Sequence, residues 1–183
     1  MDKIAAYISQ YLIKQNIIEK DEQELYEYGT ILLLEGCLSI LLCLYISNYF
    51  DSLFEGIFIL IIFIPIRILG GGLHVNSYIF CLCLTCFTVI AILLISTFFE
   101  FNKNFLLFIA LFSLITIKSL YPVEHPNRPV SQLENLLFKN KFNIVLSYNL
   151  LLTLVLFSSE LFPIFSVTLL TLALSMLLGK ILN

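Results

Sequence analysis

The sequence predicts an all-α integral membrane protein with six transmembrane helices, some short or re-entrant. Both termini are expected on the cytoplasmic side, and an amphipathic interfacial helix leads the chain. Three observations carry this reading. Of 183 residues, 60% are hydrophobic and only 13% charged, with a mean hydropathy of +0.98. A soluble domain of this length could not hide so much apolar surface. The apolar residues gather into six segments, at roughly 30–47, 53–69, 78–98, 105–121, 142–158 and 161–178. Finally, the basic residues sort by side. With the N-terminus inside, Lys3, Lys14, Lys20, Arg67, Lys118, Arg128, Lys139, Lys141 and Lys180 all fall on the cytoplasmic face, and only Lys103 falls outside. Shifting the parity by one span would spoil this positive-inside bias.

Residues 1–20 read as a helix lying on the bilayer, with Ile4, Ile8, Tyr11 and Leu12 on one face and Lys3, Gln10 and Lys14 on another. The acidic stretch that follows, Glu19, Asp21, Glu22, Glu24 and Glu27, reads as a solvated turn back into the bilayer. The rest, 30–183, reads as a helical bundle, making 1–183 one polytopic inner-membrane domain. Several segments fall short of the ~20 residues that cross a typical hydrocarbon core, so tilt or partial re-entry is expected, above all in the second. The first long apolar run begins near Thr30, too late for a cleaved leader. Five cysteines (37, 43, 81, 83 and 86), an odd number and all in apolar segments, argue against a secreted disulfide framework. The two longest breaks, 70–77 and 121–141, both face the cytoplasm in this topology. Function carried by loops is therefore expected there.

The break "RILGGGLHVNSYIFC", residues 67–81, places an arginine, three glycines, a histidine and a cysteine together. His74 and Cys81 are seven residues apart. On one straight helix they would sit ~10 Å apart along the axis, too far to interact. They can meet only if the chain bends, which Gly70, Gly71 and Gly72 allow, with Asn76 or Ser77 capping the next helix. Cys81 then falls in the first turn or so of the third span. A helix N-terminus beside an imidazolium favours thiolate, the nucleophilic form. Backbone N–H groups of the turn or helix start could stabilise an oxyanion, so the constellation suits a Cys/His acyl-transfer enzyme. Spacing alone leaves a second reading open: a cysteine that packs and glycines that only break a helix. Cys81, Cys83 and Cys86 diverge around a helix with no histidine or carboxylate near in sequence, so no metal site is expected. No cofactor and no nucleic-acid partner is called for either.

The block Arg67, Gly71–Gly72, His74 and Cys81, joined to the proline-rich loop "PVEHPNRP" at 122–129, resembles the accessory gene regulator protein B (AgrB) family. These are membrane endopeptidases that process quorum-sensing peptide precursors. The resemblance implies Cys81 as nucleophile and His74 as general base and later acid. The implied substrate is a short AgrD-like propeptide with an amphipathic leader, a signal core and an acidic tail. Cleavage would leave leader and core as a thioester on Cys81, and a core side chain would close a thiolactone or lactone ring. The resemblance also implies a homodimer.

Other polar residues have two readings each. Arg67 either docks the substrate's acidic tail or snorkels to the interface. Glu35, about five residues inside the first span, either pairs with Arg67 or Lys118, or orients His74, or is a protonated acid bonded within the bundle. Glu124 and His125 are a rival acid and base on the same side, although the surrounding prolines favour a plain rigid loop. Arg128, Lys139 and Lys141 either steer an acidic tail or answer to anionic lipid. A transporter or peptide-export scaffold, using Glu35 and Arg67 along a polar path, is the competing class. Its glycine breaks would be expected near the midplane rather than at the edge.

Overall fold

A computed structural model describes residues 2–73, 78–122 and 132–182, with side chains of Asp2 and of 132–135 left aside. Its elements are α1 (Asp2–Lys14), a 3-10 turn (Lys20–Glu22), α2 (Gln23–Tyr49), α3 (Leu53–Gly70), α4 (Tyr78–Phe98), α5 (Lys103–Leu120), α6 (Gln132–Leu156) and α7 (Phe162–Leu182). Among the described residues there is no strand. Contacts group the chain into two compact units, Met1–Leu42 and Cys43–Asn183.

In the first unit α1 is shorter than the expected 1–20 helix, stopping near Asn16, which takes a positive φ of 56°. Its buried positions are the small residues Ala5 and Ser9, whereas Ile4, Tyr7 and Tyr11 are exposed. The acidic stretch is not the solvated turn that charge alone suggested. Only Lys20–Glu22 turn, and α2 already includes Glu24 and Glu27. The Glu27 carboxylate accepts from the Ser9 hydroxyl at 2.8 Å and from Gln23 Nε2 at 2.8 Å. Hydrophobicity marks where lipid begins, and a helix can start well before that boundary.

The same effect corrects the other end of the bundle. Part of the 121–141 break between apolar segments is helical: from Gln132 α6 carries its lysines and asparagines on helical backbone before the apolar half begins. Among the described residues, five helices are long and apolar enough to cross a membrane: α2 (with the turn before it), α3, α4, α5 and α7. The sixth expected segment, 142–158, is the far half of the 25-residue α6.

In the second unit, connections are short and locally specified. Asp51 turns the chain at φ 54° between α2 and α3. The Asn102 side chain caps α5 by accepting from the Asn104 amide at 2.9 Å. Ser159 Oγ accepts from the Leu161 amide at 3.1 Å ahead of α7, where Pro163 sits in the first turn and sacrifices no helical hydrogen bond.

The hub is α7, buried along most of its length through Phe162, Phe165, Leu169, Leu172 and Met176. It packs most extensively on α5 and next on α3. Lipid tails are as apolar as leucine, so helices here associate by close van der Waals fit rather than by escape from water. The contact of Gly56 (α3) with Ser47 (α2) shows it: a Cβ at Gly56 would overlap the serine side chain, including its Cβ. Gly56→Ala should therefore lower the thermal midpoint of the detergent-solubilised protein, an overpacking cost of about 1–3 kcal/mol. Adding Ser47→Gly, which vacates that space, should return most of the loss.

Candidate functional site

The end of α3 is built to stop. Gly71 caps it at φ 79°, donating its amide to the Arg67 carbonyl at 3.1 Å, and Gly72 follows at φ 149°. Both values lie where a side chain strains the backbone, so glycine is the residue that permits the turn. Each glycine of the triplet has its own reason. At Gly70 a Cβ would press on Phe142 at 2.8 Å and Met176 at 3.2 Å; at Gly72 it would collide with the Arg67 guanidinium. The triplet is therefore more than a generic helix breaker.

Arg67 lies in the last turn of α3, where the helix dipole favours a cation. It is half-buried and folds back over the turn. Its Nη1 donates to the Ser175 hydroxyl at 2.9 Å and its Nη2 to the Leu73 carbonyl. The Leu73 amide donates to the Ser175 carbonyl at 3.0 Å. Arg67 also stands within electrostatic reach of the Cys81 thiol. Cys81 itself is the fourth residue of α4, half-buried, with its carbonyl accepting from the Thr85 hydroxyl at 2.9 Å. Cys81 thus lies within the first four described residues of α4, while the residues just before it, 74–77, lie outside the described residues.

The structure brings together Arg67, Gly71, Gly72 and Cys81. His74 lies outside the described residues, as do Asn76, Ser77, Glu124, His125 and Arg128. Glu35 lies on α2 in the first unit, half-buried, its carbonyl accepting from the Ser39 hydroxyl at 2.8 Å. Among the described residues no three His, Cys, Asp or Glu side chains are grouped to hold a metal ion. Of the other cysteines, Cys43 is buried in an apolar cluster with Ile59, Val89 and Ile92, and its thiol meets that of Cys86; Cys37 and Cys83 are exposed.

Sequence reasoning missed Ser175 and Gly179. Their one visible signal is a small-xxx-small pair near the end of the last helix, a pattern that marks close backbone approach in membranes. A second feature is a cavity of about 560 Å³ between α5 and α6, lined by leucines with Lys118, Lys139 and Asn143.

Gly72→Ala adds backbone strain of about 1–3 kcal/mol and displaces the guanidinium. It should lower the thermal midpoint clearly. Gly29→Ala, at a helical position with open space around it, should leave the midpoint unchanged or raise it by the ~0.5–1 kcal/mol of helix propensity.

Comparison with curated proteins returns no match, and neither does comparison with solved structures. Comparison with protein families matches residues 2–179, nearly the whole chain, to accessory gene regulator B. The arginine, paired glycines and cysteine at the start of α4 therefore stand within a full-length family match, and the chain belongs to the accessory gene regulator B family.

Proposed function

We propose that this protein is a membrane-embedded cysteine endopeptidase that cleaves the C-terminal tail from an AgrD-like propeptide and promotes its cyclisation. Family membership supports a role in peptide-based quorum sensing and an AgrD-like partner. The observation that carries the chemical reading is the position of Cys81: fourth residue of α4 and half-buried, just after the glycine turn that Arg67 holds.

The chemistry follows from that position. His74 takes the Cys81 proton, and the thiolate attacks the carbonyl before the acidic tail. N–H groups of the helix start receive the oxyanion. As the C–N bond breaks, His74 returns the proton to the departing amine, leaving a thioester. A thiol or hydroxyl in the signal core then attacks this thioester, forms the ring and regenerates Cys81. A thioester and a thiolactone are close in energy, so the second step proceeds readily when water is excluded. The first step is uphill, and removal of the tail draws it forward. Among the described residues Arg67 donates to Ser175 and Leu73, and a guanidinium carries five N–H donors, a planar fork suited to a substrate carboxylate. Glu124 and Arg128 supply polar contacts from the 122–129 loop. The chain crosses the membrane six times, the fifth through the apolar half of α6, with both termini and the Cys81 site cytoplasmic, and it works as a homodimer.

Site-resolved alkylation across pH, read by mass spectrometry on the intact protein, tests the dyad without substrate. Cys81 should react at neutral pH, and His74→Ala should slow that reaction about tenfold or more, because the thiolate is the form that alkylates. An equally inert Cys81 in both proteins returns it to a packing role. With the propeptide present, Cys81→Ala and His74→Ala should abolish tail release while His125→Ala retains it; the reverse result for the two histidines would move the base to the loop. If Glu35 orients His74, Glu35→Gln should slow tail release without changing the thermal midpoint. Unchanged turnover in that variant removes the orienting role.

A further inference from the structure

We propose that Ser175 and Gly179 of α7 are positioning residues for the Cys81 site, holding with Arg67 the backbone of Gly71–Leu73 that leads directly into His74. The inference rests on the catalytic reading of Cys81 and His74 given above.

Ser175 and Gly179 are four residues apart, so they share one face of α7 about a turn from each other. Ser175 contributes two acceptors: its carbonyl takes the Leu73 amide at 3.0 Å, and its hydroxyl takes Arg67 Nη1 at 2.9 Å. Gly179 contributes space. A Cβ there would lie 2.5 Å from the carbonyl carbon of Gly72, 2.7 Å from its oxygen and 2.7 Å from the Leu73 nitrogen. All three are backbone atoms, which have no rotamer by which to step aside. The turn and α7 therefore touch main chain to main chain, and any side chain at 179 drives them apart.

Arg67 closes the arrangement from the other side by donating to the Leu73 carbonyl. Both backbone polar groups of Leu73 are thereby held, the N–H by α7 and the C=O by α3. The residue after Leu73 is His74. The described backbone is thus pinned up to the residue before the proposed base, and orientation of catalytic groups is worth much in rate: a 1 Å misplacement can cost about 10²-fold. Ser175 and Gly179 touch neither substrate nor the reacting sulfur in this scheme. Gly179 acts through Leu73, and Ser175 through Leu73 and through the Arg67 guanidinium that holds the Leu73 carbonyl.

The test uses the full-length protein in nanodiscs, with two readouts: hydrogen exchange at the Leu73 amide, and the rate of Cys81 alkylation by iodoacetamide at neutral pH. In the parent protein Leu73 should be protected. Ser175→Ala should slow alkylation about three- to tenfold, the effect of losing one hydrogen bond, and Ser175→Thr, which keeps the hydroxyl, should restore it. Gly179→Ala should expose the Leu73 amide and slow alkylation as much as His74→Ala does. Combining Gly179→Ala with His74→Ala should add nothing further, because both act through the same base. A purely structural role would slow neither the folded protein's thiol nor produce this non-additivity.

An unprotected Leu73 in the parent overturns the proposal. So does a Gly179→Ala protein that folds with Leu73 exposed yet alkylates at the parent rate. If Gly179→Ala does not fold, Ser175→Ala and Ser175→Thr decide alone: identical parent-like rates in both overturn it. If instead His74→Ala leaves alkylation unchanged while Leu73 stays protected, the catalytic reading falls and takes the positioning role with it, and that pattern is distinct from the others.

Discussion

Backbone that leaves helical geometry near hydrocarbon must find partners for its N–H and C=O groups, and this constraint governs the site. The Gly71–Leu73 turn meets it with borrowed groups. Gly71 returns its amide to α3, Leu73 gives its amide to the Ser175 carbonyl, and the Leu73 carbonyl takes a donor from Arg67. The guanidinium thus does for the Leu73 carbonyl what a water molecule would otherwise do. It suits the task because its planar fork can reach two acceptors in different elements at once, which a lysine ammonium does less well. Once the turn is satisfied, α4 can begin at Tyr78 and present Cys81 in its first turn.

The dense packing around α7 follows from the same requirement. The turn can be satisfied by α7 only if main chains approach closely, so the facing positions are small: Gly72 on one side, Ser175 and Gly179 on the other. Just beneath, Gly70 lets Phe142 of α6 and Met176 of α7 close against α3. Phe142 in turn stacks on Tyr121 with centroids 4.2 Å apart, tying the end of α5 to α6. A turn between two helices is in this way anchored by two others.

Much of this was legible in the sequence, and the rest was illegible for definite reasons. The helical class, the break at the glycines and the place of Cys81 at a helix start are local, written in composition and in a few adjacent residues. The ends of helices were less legible because the pattern read was solubility in lipid. Glu24, Glu27 and the polar stretch from Gln132 to Lys141 belong to helices that extend beyond the apolar core. Ser175 and Gly179 were invisible for a different cause: they lie more than a hundred positions from Arg67, and nothing in the local chain says which helix will face the turn. The site is a tertiary object, and only its α3–α4 half is continuous in sequence.

Why Cys81, among five cysteines, should be the reactive one can be argued from surroundings alone. Cys43 is sealed in an apolar cluster with its thiol against Cys86, an arrangement that supplies packing and no access. Cys37 lies on the lipid-rich α2 well away from either of its ends. Cys83 is exposed but sits two residues further along α4, on a different face from Cys81. Cys81 alone combines a helix start, partial exposure and a fixed positive charge from a neighbouring helix. Those are the surroundings on which the proposed endopeptidase reading of Cys81 rests. The remaining cysteines share its sulfur and lack its place.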